Sequence, residues 1–219
     1  MKKLNIISSL LTVCILLVSG IARGNGSNDK YTETMQKNME TVYTSQDIAE
    51  IQNAVNAFER IGEAEKTKWE PFYYASFGYV MMANKEKTGS AKDTYLDLAL
   101  KLLEKAKAIQ ANESEIVALE GFVHMIRVTV DPASRGQQYS GMAFKAYSAA
   151  IAINPENPRA LSLMAQMQYG TAQFFGSPTT EACATLNKAL EKFDTFKSDN
   201  VLAPAWGRKM AEGLKTKCQ

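Results

Sequence analysis

Residues 143–158 read AFKAYSAAIAINPENP, and this stretch decides the fold. Ala143, Tyr147 and Ala150 stand at helical spacing as small, large and small, and Asn154-Pro155 then stops the helix because proline cannot continue it. The same order recurs as Ala54-Phe58-Ile61, Ala99-Leu103-Ala106 and Ala182-Leu186-Ala189, with first residues 45, 44 and 39 positions apart. Self-similarity at such a period marks a stacked helical array, in which each unit buries its apolar face only against its neighbours. Arrays of this kind generally bind other molecules.

Each copy has a partner upstream. Tyr74, Phe77, Gly78 and Met81 precede the Ala99 copy, Val117, Glu120, Gly121 and His124 precede the Ala143 copy, and Leu161, Met164, Ala165 and Gln168 precede the Ala182 copy. Gly or Ala at 78, 121 and 165 lets one helix approach the next closely, and Leu103 or Tyr147 fills the seam. Residues 69–196 therefore resemble three tetratricopeptide repeats, whose pattern is W-x2-L-G-x2-Y in the first helix and A-x3-F-x2-A in the second, followed by proline. The resemblance implies an all-α, tetratricopeptide-like helical hairpin array (an α-α superhelix), with residues 48–61 as a leading helix and 204–217 as a capping helix. The joins between paired helices read as enlarged loops at 84–94, 129–140 and 173–179, all on one edge.

The remaining periodicity agrees. Ser45-Gln46-Asp47 reads as a cap before Ile48, Ile51, Val55, Phe58 and Ile61; Pro71 opens an aromatic-rich helix over 71–83; Ile116, Leu119, Val123 and Ile126 stripe a helix over 114–128. Helices are also expected over 96–106, 143–153, 159–174 and 179–196. Val128-Thr129-Val130 is the one β-looking run, ended by Asp131-Pro132.

The start of the chain reads as a targeting segment. Lys2 and Lys3 precede an apolar run from Leu10 to Val18, and Gly20-Ile21-Ala22 supplies the small residues of a cleavage site. The expected organisation is a signal peptide over 1–22, cleaved near Ala22, a flexible Gly/Ser/Asn leader over 23–44 with a weak helical pattern at 34–43, and the repeat domain over 45–219. The apolar run falls short of the ~20 residues of a spanning helix, so no transmembrane segment is expected after cleavage. Export to the periplasm or medium follows.

Without Lys2 and Lys3 the chain has 23 basic and 23 acidic residues, so the net charge of +2 belongs to the leader. Nothing has the positive excess that nucleic acid requires. Cys183 and Cys218 come side by side if the last two helices run antiparallel, and in an exported protein they invite a disulfide.

The resemblance also implies a binding groove along the inner face of the first helices. Register selects Phe72, Tyr79 and Met82 in the first repeat, Phe122 and Met125 in the second, and Arg159, Gln166 and Tyr169 in the third. Aromatic and methionine surfaces suit adaptable contact with peptides or apolar molecules. No catalytic set is visible. His124 is the sole histidine and reads as a hydrogen-bonded seam residue; Glu113 and Glu115 fit a helix start; Gly89-Ser90-Ala91-Lys92 lacks phosphate-loop spacing. No metal site and no cofactor are implied. The expected function is a non-catalytic scaffold or adaptor with a protein or peptide partner in the envelope. The alternative is a carrier of a small apolar or peptide ligand in a pocket closed by the long loops.

Overall fold

A computed structural model describes residues 25–218, with side chains described from 29. The expected signal peptide over 1–22 lies outside the described residues. Among them stand nine helices: α1 (Asn25–Thr44), α2 (Ile48–Ala64), α3 (Glu70–Lys85), α4 (Gly89–Ile109), α5 (Ser114–Val128), α6 (Pro132–Ile153), α7 (Pro158–Phe175), α8 (Thr180–Thr195) and α9 (Arg208–Lys215). Each helix packs on the next, and α3, α5 and α7 also meet in order along one side. This is the tetratricopeptide-like array, with α3/α4, α5/α6 and α7/α8 as its hairpins. None of the described helices is long and apolar enough to cross a membrane.

The small residues set the helix spacing. A Cβ on Gly78 would lie 2.4 Å from Cγ2 of Val55, so this glycine admits the preceding helix α2 and not its hairpin partner α4, whereas one on Gly121 would lie 2.4 Å from the Tyr147 ring of its partner α6. Ala99, Ala106, Ala143, Ala150, Ala182 and Ala189 of the opposing helices are all buried. Asn157 caps α7 by accepting from the backbone N–H of Arg159 and Ala160 at 2.9 and 3.0 Å, and its amide donates to Ser114 Oγ at 2.9 Å. The Asn157-Pro158 pair that opens one repeat thereby also bolts it to the one before.

Three expectations are corrected. The leader over 23–44 is helical from Asn25, because Tyr31, Met35, Met39 and Val42 form a buried stripe at three- and four-residue spacing beneath a polar surface. The enlarged loops are not loops. Only 86–88, 129–131 and 176–179 lie outside helix at these joins, and α4 and α6 start early as polar turns that project past the core. Periodicity misses such turns because they bury no residue fully. They are held by Asp131, whose carboxylate accepts from Ser134 N, and by Arg135, which donates to both carboxylate oxygens of Asp93 at 2.8 Å. A pocket closed by long loops therefore has no loops to close it. Finally, the capping helix begins at Arg208 rather than 204, and residues 196–207 cross the inner face as an irregular strap.

Candidate functional site: the inner face and its strap

The inner face of the array is aromatic, and the chain itself lies on it. From α8 the strap runs to α3 and α1 and returns to α9. Asn200 Nδ2 donates to Glu70 Oε1 at 3.0 Å; Tyr74 Oη donates to the Leu202 carbonyl at 2.6 Å; Ala205 N donates to Tyr43 Oη at 3.3 Å. Leu202 and Trp206 are buried. The indole stacks on Phe77 of α3 and Phe122 of α5, with centroids 4.8 and 5.7 Å away and planes inclined by only 22° and 21°. Its Nε1 donates to Tyr73 Oη at 3.0 Å. Burial pushes the Tyr73 and Tyr74 hydroxyls well above the ordinary tyrosine range, so both stay protonated and keep these bonds.

A buried ion pair anchors the strap at its far end. Arg159 Nε and Nη2 donate to Glu115 at 2.7 and 2.8 Å, joining α7 to α5, and Nη1 reaches the Trp206 carbonyl at 3.5 Å. Burial opposes the arginine charge, and the Glu115 carboxylate more than restores it, leaving the guanidinium above its ordinary range. Gly207 turns the chain at φ 102°, where a Cβ would press on Arg159 and Phe193. Arg159, Phe196, Asn200, Pro204 and Arg208 line an open cavity of about 310 Å³ under the strap.

The residues that register selects fall into four groups. Phe122 and Arg159 meet at Trp206 on the inner face. Phe72 and Tyr79 lie between α2 and α4 instead: Phe72 fills the space over Gly62 beneath the Lys105 ammonium, and Tyr79 bonds Glu59 and stacks on Tyr95. Met82 is fully buried. Met125, Gln166 and Tyr169 are half-exposed; Tyr147 Oη donates to the Met125 sulfur at 3.7 Å, and Tyr169 Oη donates to the Lys217 carbonyl at 3.5 Å. Register does not select Tyr73, Tyr74, Phe77 or Trp206, which the structure brings together here. One turn further along α3 and α5, Met81 and Met125 are half-exposed.

Elsewhere, Glu113 caps α5, and Glu115 in its first turn also pairs with Arg159. His124 lies under Tyr139 with its buried Nδ1 lacking a hydrogen-bond partner, and burial lowers its pKa. Among the described residues no three His, Cys, Asp or Glu side chains gather as a metal site would require.

No protein-family model and no curated protein matches the chain. Among solved structures, it is similar to the HusA haemophore from Porphyromonas gingivalis, at 27% identity and a TM-score of 0.76 over 86% of this chain and 92% of that one. A thermophilic TPR protein from Thermus thermophilus matches 85% of this chain and 91% of its own with a TM-score of 0.55; at 15% identity it speaks for the fold alone.

Proposed function

We propose that this chain is an exported, non-catalytic carrier of a flat, apolar ligand of the haem class, held on the inner face beside the strap. One observation carries the reading: the slot over Phe77 and Phe122 accepts an aromatic ring system nearly parallel to both phenyl rings, here the indole of Trp206. Met81 and Met125, half-exposed one turn further along the same two helices, offer side chains that adapt to an irregular or planar guest. The likeness to a haemophore over most of both chains points the same way. The Cys183–Cys218 disulfide suits export into an oxidising compartment.

An adaptor for protein partners is the second reading, and Phe174 and Phe175 favour it. They stand 74% and 72% exposed at the end of α7. Against it, an extended peptide has no free track along an inner face crossed by the strap. Titration of the exported protein with iron protoporphyrin tests the carrier. The expected result, in a Trp69→Phe background, is a saturable, one-to-one shift of the porphyrin absorption band with quenching of Trp206 emission, weakened at least about ten-fold in Phe122→Ala, which removes the ring that supports the indole beside the ligand. A linear, unsaturated response with unchanged Trp206 emission would sink the proposal.

A further inference from the structure

Cys183 follows the start of α8, Cys218 follows α9, and the whole strap lies between them. We propose that this disulfide is an exchangeable latch: a dithiol reductant reaches it through a surface hollow, and opening it releases Trp206 from the inner face. The hollow measures about 430 Å³, and Thr179, Thr180, Asn187, Lys217 and both cysteines form its wall. Both cysteines are half-exposed. Cys183 closes the first turn of α8, its N–H bonded to the Thr179 carbonyl at 3.0 Å, where the helix N-terminus favours a thiolate. It is therefore the better leaving group of the two.

The exchange balances. A thiolate of the dithiol attacks Sγ of Cys218, the S–S bond breaks, and Cys183 departs as thiolate. The second thiol of the reductant then displaces Cys218 from the mixed disulfide. Two electrons pass to the protein, the reductant leaves as its own disulfide, and the dithiol's two protons end on Cys183 and Cys218, directly or through water.

Of the segment that the latch spans, α9 is the weakly held part. The eight residues of α9 bury only Ala211 and Leu214, and a helix of that length does not stand alone in water. The strap adds three buried anchors, Leu202, Pro204 and Trp206, and the hydrogen bonds of Asn200, Leu202 and Trp206 run to the inner face and not to α9. By contrast the main core runs from α1 to α7 and is built chiefly without the C-terminal segment. Cutting the bond therefore opens this segment by itself, as a local unit. For the carrier it follows that the ligand is retained while the bond is oxidised and released on reduction. That last step rests on the function proposed above; the latch does not.

In a Trp69→Phe background, emission comes from Trp206 alone, since the chain has two tryptophans. The protein is reduced with dithiothreitol and alkylated, and three quantities are followed: Trp206 emission, proteolysis within 196–207, and helical ellipticity. The expected result is a red shift, cleavage at least about ten-fold faster, and little change in ellipticity. Cys183→Ser with Cys218→Ser gives the same without reductant. Unchanged emission and cleavage after complete alkylation overturn the latch, as does a cooperative loss of helix, which would make the bond a staple of the whole fold. Iron protoporphyrin retention separates the two proposals. No binding by the oxidised protein defeats the carrier and leaves the Trp206 result standing. Binding that survives release of Trp206 defeats only the coupling.

Discussion

Gly121 shows how little slack a hairpin seam contains. Any side chain there must displace the Tyr147 ring, which is itself fully buried. Gly121→Ala is expected to cost about 1–3 kcal/mol by overpacking, read as a lower urea midpoint with an unchanged slope. Arg159 makes a larger demand. Removing its guanidinium leaves Glu115 buried without its partner, so Arg159→Ala should lose about 3–5 kcal/mol in the same measurement, while pairing Arg159→Met with Glu115→Met should recover much of that loss. The third residue is His124, whose folded pKa is lowered from 6.5 because burial disfavours the imidazolium. Below pH 6.5 the unfolded chain binds more protons than the folded one. The stabilisation is therefore intact above that pH and is lost as pH falls through the folded value. Urea midpoints measured from pH 7.5 downward should fall more steeply in the native chain than in His124→Phe. Equal slopes would remove His124 from the acid response.

Elements are legible in the sequence where one face alone is buried. Ile51, Val55 and Phe58 of α2 reveal both the helix and its inward side, and Ala143, Tyr147 and Ala150 do so for α6. Helix α3 fails that test: nearly every residue from Glu70 to Ala83 is buried, so its aromatic run contains no stripe from which to read register. That is why register points to Phe72 and Tyr79 where Tyr73, Tyr74 and Phe77 form the inner face. Phe122 and Arg159 are legible because α5 and α7 repeat the register of the Asn154-Pro155 unit. The strap leaves only a faint signal, an indole between Pro204 and Gly207, because irregular chain packs by tertiary contact and not by period. Its worth is measurable as an element. Trp206→Ala should cost about 3–5 kcal/mol and speed proteolysis of 196–207, whereas Val201→Ala on its exposed side should do neither.

At the scale of the molecule, the strap changes what a repeat array is. Stacked hairpins ordinarily touch only their neighbours, which lets end units fray independently. Here Asn200, Leu202 and Trp206 bond to α3, and Arg159 of α7 holds the same segment, so the first and third hairpins share a contact separated by up to 133 residues in sequence. Unfolding should accordingly be a single transition by ellipticity and by Trp206 emission, and the two curves should part in Trp206→Ala when helix content is compared with Trp69 emission. The strap also has a place in time. Every helix that lines the inner face is made before residue 196, so a chain that enters its compartment amino end first completes the aromatic cradle before the cover exists. Loading during synthesis would then meet an open cradle, and the covered form is the last to be built.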